Sequence, residues 1–118
     1  MPSISIARRT PSHKRERLAF ATEWVDSYVV RITVAGDVDA SNAQELREYV
    51  LRRAANCRSL VLDLNDVTFF STAGFSMLRT IGVRCDRANV RWTLNCNPAV
   101  ARVIEVCDPD RTLASRMV

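Results

Sequence analysis

The sequence predicts an α/β fold, a mixed β-sheet of four to five strands with helices packed on it. Segments with strand-like patterns alternate along the chain with segments whose apolar residues recur at helical spacing. The length of 118 residues suits one domain that can bury a sizeable core. The shares of hydrophobic residues, 47%, and of charged residues, 25%, are those of an ordinary globular protein.

The positive charge lies at the start of the chain. Residues 1–17 contain five Lys or Arg and one Glu, whereas residues 18–118 contain 12 Arg and 12 acidic residues. The first segment also lacks apolar periodicity, so we expect a basic disordered tail over 1–17 and a folded domain over 18–118. A neutral domain does not favour direct binding of nucleic acid. Because no apolar run has the length of a membrane span or of a secretory signal, we expect a cytoplasmic protein without membrane contact.

Two strands are predicted first. The run LAFATEW (18–24) alternates, and YVVRITVA (28–35) is rich in β-branched and aromatic residues. Asp26 and Ser27 favour a turn, so the two strands are expected to form a hairpin. Gly36 is expected to end the second strand.

A helix is predicted over residues 39–55. Its apolar residues at helical spacing are Ala43, Leu46, Val50, Leu51 and Ala54. Ser41 and Gln44 match a capping box, in which each side chain binds a free backbone N–H of the first turn. Arg52 and Arg53 suit the negative end of the helix dipole.

A third strand and a second helix follow. The run SLVLDL (59–64) is nearly all apolar, which is typical of a strand covered on both faces. Asn65 and Asp66 are expected to turn the chain before the short run VTFF (67–70). A helix is predicted from about Thr72 to Arg87. The residues expected to face the core are Phe75, Leu78, Ile81 and Val83.

The last elements are a fourth strand over 89–95 and a helix that begins at Asn97-Pro98. Proline is favoured at the first helical position, where its missing N–H is not needed. The apolar residues of this helix are Val100, Val103, Ile104 and Val106, and it is expected to end before Asp108. Strands that alternate with helices predict a mainly parallel or mixed sheet.

Residues for catalysis and metal binding are scarce. The only histidine is His13, in the tail, so a Ser-His or Cys-His pair is not available in the domain. The three glycines form no nucleotide-binding loop. The four cysteines form no Cys-x-x-Cys pair and are expected to be reduced and buried: Cys57, Cys85, Cys96 and Cys107. We expect a binding protein that is not an enzyme and needs no metal or cofactor.

The stretch DVTFFSTAGFSML (66–78) places hydroxyl residues between a strand and a helix. Read locally, such residues are helix caps. Phe69 and Phe70 are adjacent, so one should enter the core while the other is exposed beside Thr72. Gly74 lacks a Cβ and would allow a partner's backbone to approach the start of the helix.

Three short motifs follow one another in the chain: GDVD at 36–39, VLDL at 61–64 and STAG at 71–74. With the strand and helix that follow, VRWTLNCNPAVARVIEVCD, they resemble the STAS family of anti-sigma factor antagonists. The resemblance covers residues 18 to about 108 and implies a single STAS-like domain.

The resemblance also implies a function. In this family the Ser or Thr after the motif's Asp is phosphorylated by an anti-sigma factor that is also a kinase. The unphosphorylated form binds that kinase and so frees the sigma factor. By position the acceptor is Thr72, but Ser71 replaces the family's Asp and becomes an alternative acceptor. The implied partner-binding residues are Gly36, Asp37, Asp39, Phe70, Ser71, Thr72, Ala73 and Gly74.

Two other functions stay open at this point. One is a STAS binding module that is independent of phosphorylation and is either constitutive or gated by oxidation of Cys85, Cys96 or Cys107. The other is a STAS module that binds a nucleotide or another small ligand.

Overall fold

Four strands and three α-helices form the structure, a computed structural model that describes residues 16–108 and 110–118. The strands are β1 (Ala19–Trp24), β2 (Val29–Val38), β3 (Ser59–Phe70) and β4 (Arg91–Cys96). The helices are α1 (Ala43–Ala54), α2 (Thr72–Arg87) and α3 (Pro98–Cys107), followed by a 3-10 turn at Ala114–Arg116. The predicted α/β architecture is confirmed, with four strands.

The sheet has the order β1-β2-β3-β4. β1 pairs antiparallel with β2, which confirms the predicted hairpin, and β2–β3 and β3–β4 are parallel. Because β2 and β3 run in the same direction, their last residues meet at one edge of the sheet, where Val38 pairs with Phe70. We call this edge, with the segments 36–42 and 68–74, the carboxyl edge.

One face of the sheet carries the core. Its central residues are 0% exposed and alternate along β2 and β3: Val30, Ile32, Val34, Leu60, Leu62 and Leu64. Helix α1 packs on this face through Tyr49, whose ring centroid lies 4.2 Å from that of Phe20. Helix α2 packs there through Gly82, over which the Trp92 side chain lies. The helices therefore cover the face of the sheet to which the alternate apolar residues of β2 and β3 point.

The opposite face of β3 is less covered than the apolar run predicted. Val61 is only partly buried, and Asp63 forms an ion pair with Arg31 of β2. The run was misleading because Val61 satisfies the pattern of a buried strand while lying on the half-exposed face. The prediction of a strand covered on both faces is wrong.

The predicted turn at Asn65-Asp66 is also wrong, since β3 continues through it to Phe70. The Asn97 side chain donates hydrogen bonds to the carbonyls of Asn65 at 3.0 Å and Val67 at 2.8 Å. Asp66 itself pairs with Ala35 across an irregularity in the β2–β3 register. These tertiary bonds outweigh the turn preference of the two residues.

Gly36 does not end β2, which continues to Val38. Its φ is +92°, and a Cβ there would clash with the carbonyl oxygen of Arg17. The Glu16 N–H donates to the Asp37 carboxylate at 3.1 Å, and the Asp37 N–H donates to the Glu16 carbonyl at 3.2 Å. Glu16 and Arg17 are thus bound to the domain, two residues before the predicted boundary, while the rest of the predicted tail, 1–15, lies outside the described residues.

Helix α1 does not use the predicted capping box. Asn42 precedes the first helical residue, and its side chain accepts from the Asp39 N–H and donates to the Asp37 carbonyl at the end of β2. The Ser41 hydroxyl donates to the Asp39 carboxylate, and Gln44 donates to Glu48 at 3.2 Å. Asp39 competes for Ser41 because it is two residues away and accepts from both its N–H and its hydroxyl.

Helical spacing located most of the core of α2 and α3. Phe75, Leu78 and Ile81 are buried as predicted, but Val83 is 48% exposed and Val106 is 80% exposed. Val83 lies two residues after Ile81, which is about half a turn around the helix. None of the helices in the described ranges has the length and apolarity that crossing a membrane requires.

Candidate functional site

The carboxyl edge brings together two of the three sequence motifs. The Ser71 N–H donates to the Val38 carbonyl at 3.0 Å, which fixes the start of α2 beside the loop that leads into α1. The third motif contributes Asp63, which is buried on the other face of the sheet, where it pairs with Arg31. The chain therefore assembles the candidate site from segments 36–42 and 68–74.

Ser71 and Thr72 have different positions at the start of α2. Ser71 is the N-cap and is half-buried, and its Oγ accepts a hydrogen bond from the Ala73 N–H at 3.2 Å. Thr72 is the first helical residue and is exposed. Capping, which the local pattern allowed for either residue, belongs to Ser71, so the fold does not need Thr72 as its cap.

The replacement of the family's Asp by Ser71 keeps one property and removes another. Serine and aspartate both accept from the free N–H groups of a first turn, so the cap is retained. The carboxylate charge that would interact with the positive end of the helix dipole is absent. The start of α2 therefore has a neutral cap next to an exposed threonine.

Phe70 and Gly74 form an internal contact. Phe70 is 6% exposed, and a Cβ on Gly74 would lie 2.6 Å from its ring. Gly74 is itself buried, so its missing Cβ makes room for the Phe70 ring, and this corrects the expectation that a partner's backbone approaches there. The exposed aromatic residue of the pair is Phe69, at 46%, which corrects the choice of Phe70 as a surface residue.

Gly36 and Asp37 are buried as well. The Asp37 side chain is a junction: one carboxylate oxygen accepts from the Glu16 N–H, and the other accepts from the Thr68 hydroxyl at 2.7 Å. These bonds join the incoming chain, β2 and the last part of β3. Gly36 and Asp37 thus hold the carboxyl edge together from inside.

Asp39 and Ala73 lie nearer the surface. Asp39 is half-buried and orders its loop, because its carboxylate accepts from the Ser41 N–H at 2.9 Å and its carbonyl accepts from the Ala43 N–H at 2.9 Å. Ala73 and Ala43 line the start of a groove between α1 and α2. Of the predicted partner-binding residues, Asp39, Ser71, Thr72 and Ala73 are therefore at least partly accessible.

A surface that sequence reasoning missed continues from Thr72 along α2. Residues Ser76 and Thr80 line the same groove as Ala73, opposite Gln44 and Arg47 of α1. Residues three and four positions apart lie on the same side of a helix, so the spacing from Thr72 onward indicates this surface. The prediction for α2 used only its apolar positions and therefore did not include it.

Burial disfavours the thiolate form of three of the four cysteines. Burial raises the pKa of Cys85 to about 11 and that of Cys96 to about 11, and it also raises the pKa of Cys57. A thiol with such a pKa is ionised in only about one molecule in ten thousand at pH 7, and the thiolate is the reactive form. Cys107 is half-buried on α3. Within the described ranges, no group of three or more His, Cys, Asp or Glu side chains is placed to hold a metal ion.

The model of the STAS domain family matches residues 23–116. The chain belongs to the STAS-domain family. The match includes the three motifs and every element except the first four residues of β1. The expected family is thus confirmed.

Three solved structures with the same fold are structures of anti-sigma factor antagonists. The chain is similar to unphosphorylated SpoIIAA, with a TM-score of 0.71 and 17% identity over 85% of this chain and 86% of that one. It is also similar to an anti-sigma factor antagonist from Mycobacterium paratuberculosis, with a TM-score of 0.73 and 23% identity over 81% of this chain and 82% of that one. The phosphorylated form of Bacillus SpoIIAA gives a TM-score of 0.67 and 16% identity over 85% and 89%. These likenesses establish the fold.

A curated relative is more similar in sequence. Osmosensory protein A of Mycobacterium tuberculosis is 38% identical over 69 residues, which are 58% of this chain and 44% of that protein. The chain therefore spans less than half the length of this relative.

Proposed function

We propose that the protein is an anti-sigma factor antagonist that binds a kinase-type anti-sigma factor and thereby releases a sigma factor. Binding is switched off by phosphorylation of Thr72. The observation that carries the proposal is that Ser71 caps α2 while the next residue, Thr72, is exposed. Membership of the STAS family and the likeness to anti-sigma factor antagonists support the choice of partner. The protein acts by binding, not by catalysis, and in the cytoplasm.

The position of Thr72 suits a switch because a phosphate there leaves the fold intact. The first turn of a helix presents free N–H groups and the positive end of the dipole, which stabilise an anion. A phosphate adds about −1.5 to −2 charges at pH 7. A partner seated on this surface would have to desolvate or oppose those charges, and a loss of about 2.7 kcal/mol already lowers the affinity about a hundredfold.

The proposed partner surface comprises Asp39, Phe69, Thr72 and Ala73, which are at least partly exposed around the start of α2. The buried residues of the edge have a supporting role, and they are Gly36, Asp37, Phe70 and Gly74. Ser71 contributes its cap. Modification of Ser71 is the less favourable alternative, because its hydroxyl is half-buried and is used by the Ala73 N–H.

Phosphate mapping tests this proposal. The protein is incubated with purified kinase-type anti-sigma factors and ATP, and modified peptides are sequenced by mass spectrometry. We expect phosphate on Thr72, loss of labelling in Thr72→Ala, and retained labelling in Ser71→Ala. Thr80→Ala, which removes another hydroxyl from α2, is the matched control. Phosphate found on Ser71 with Thr72 unmodified would contradict the assignment.

A redox-gated mechanism is less well supported, because burial keeps the thiols of Cys85 and Cys96 protonated at neutral pH. Binding measured with and without reductant separates the two mechanisms. We expect equal affinity in both conditions.

A further inference from the structure

The exposed side of α2 forms a continuous stripe that begins at Thr72. Residues Thr72, Ser76, Arg79, Val83 and Arg87 follow one another at intervals of four, three, four and four, and each is exposed. This spacing places them on one side of the helix. The stripe contains no core residue, so the sequence of α2 leaves it available on the surface.

A groove between α1 and α2 lies beside this stripe. Near Thr72 it is lined by Ala40, Ala43 and Ala73, and further along by Leu51 and Thr80. Arginines stand along the groove and the stripe: Arg47, Arg52, Arg79, Arg84 and Arg87. We call these five residues the arginine face.

The arginine face is unbalanced in charge. Among the residues that line it, Glu48 is the single acid, so five positive charges oppose one negative charge. Within residues 16–108 and 110–118, none of the five arginines is in an ion pair. Residues 18–118 contain 12 arginines and 12 acidic residues and have no net charge, so the arginine face is a local excess of positive charge within a neutral segment.

We propose that the arginine face binds an acidic amphipathic helix of the partner protein, with Val83 as the apolar contact. Grooves between two helices accept a third helix, and unpaired arginines attract carboxylates and bind them in a bidentate manner. The alternative of RNA is disfavoured because no residue that lines the face is aromatic, and single strands are held largely by stacking on aromatic rings.

This inference rests on the proposed function for the identity of the partner, the anti-sigma factor, and it adds how Thr72 acts. Thr72 and Arg79 are two turns apart on the stripe, about 10 Å along the axis. That distance is about the Debye length at 0.1 M salt, so a phosphate on Thr72 acts on the same acidic segment as the arginines. The phosphate repels the acidic helix and partly neutralises the arginines that attract it.

The test uses two amphipathic helical peptides of 20 residues, one built from Glu, Leu and Ala and the other with Lys in place of Glu. Each is titrated into the 15N-labelled protein at low salt, and binding is followed by NMR and by fluorescence anisotropy. We expect the Glu peptide to perturb the groove and the stripe of α2 and to lose affinity in 0.5 M salt. The Lys peptide should bind at least tenfold more weakly.

Two double variants separate the arginine face from charge in general. Arg84→Gln with Arg87→Gln should weaken the Glu peptide at least threefold, as expected when two exposed charge pairs are lost. Arg91→Gln with Arg102→Gln removes two exposed arginines of β4 and α3 and should change nothing. Thermal unfolding of both confirms that they are folded. Equal binding by both double variants, perturbations confined to residues 1–15, or tighter binding of oligouridylate on the same face would overturn the proposal.

The same variants distinguish a failure of this inference from a failure of the proposed function. If an anti-sigma factor binds the unaltered protein and the Arg84/Arg87 variant equally, the arginine face is not its docking site while the proposed function stands. If no anti-sigma factor binds the unaltered protein, the proposed function fails, and the peptide titration still decides the chemistry of the face.

Discussion

Helices α2 and α3 both begin directly after a parallel strand, yet their first turns are built differently. At α3, Asn97 accepts from the Val100 N–H at 2.9 Å and donates to two carbonyls of β3, and Pro98 follows at the first helical position. At α2, Ser71 makes one cap hydrogen bond of 3.2 Å, and an exposed Thr72 follows. The first arrangement fastens the helix to the sheet. In the second, an exposed threonine follows the cap, and its side chain makes no hydrogen bond with the described residues 16–108 and 110–118.

Breaking the α3 terminus should have the largest effect on stability. Asn97→Ala removes the cap and both donated hydrogen bonds, and we expect a loss of about 2–3 kcal/mol in the free energy of unfolding in urea. Asn97→Ser retains a cap acceptor but cannot donate to both carbonyls, so its loss should be intermediate. A loss below about 0.5 kcal/mol for Asn97→Ala would show that the first turn of α3 is not held more strongly than the first turn of α2.

The cap of α2 should contribute less. Ser71→Ala removes its single cap bond and should cost about 0.5–1 kcal/mol in the free energy of unfolding. Ser71→Asp installs the residue that the family motif has at this position, and it should be at least as stable as the unaltered protein because a carboxylate caps the helix and interacts with its dipole. If Ser71→Ala unfolds at the same urea concentration as the parent, Ser71 is not the functional cap.

Low pH should lower the stability that Asp63 gives to β3, next to the segment of β3 that Asn97 binds. Burial alone would raise the pKa of Asp63, but hydrogen bonds from the Asn65 backbone and side chain, at 3.0 and 2.9 Å, and the Arg31 guanidinium lower it below the usual 3.8. A carboxyl with a lowered pKa contributes stability above its unfolded pKa, and this contribution is lost as the pH falls through the folded value.

We therefore expect the free energy of unfolding to decrease as the pH is lowered below about 4. Asp63→Asn should be less stable at pH 7 and should lose less between pH 5 and pH 2. Glu105→Gln, at an exposed carboxyl of α3, is the control. If Asp63→Asn follows the same pH curve as the parent, the Asp63 bonds do not contribute to stability in this way.

The elements of this fold could be predicted from the sequence because strand alternation and helical spacing are local. Helix α2 begins and ends at the predicted residues, Thr72 and Arg87. Features that depend on distant residues could not be predicted in this way. Asn65 and Asp66 look like a turn until Asn97, about thirty positions later, supplies donors to that part of β3.

The candidate site could be predicted only in part, because some of its features also depend on contacts between distant residues. The motifs located the carboxyl edge, but local sequence could not tell which of Phe69 and Phe70 is buried or that Gly74 lies under a ring. The arginine face was hidden because the total charge of residues 18–118 is zero. The net charge of a segment does not show on which side of the domain each charged residue lies.

The most direct test of the central claim measures binding and stability on the same phosphorylated protein. Protein phosphorylated at Thr72 and unmodified protein are compared by titration calorimetry with the anti-sigma factor and by unfolding in urea. The account predicts that affinity falls at least a hundredfold, while the free energy of unfolding changes by less than about 0.5 kcal/mol. Unchanged affinity, or a loss of affinity accompanied by unfolding of the domain, would contradict it.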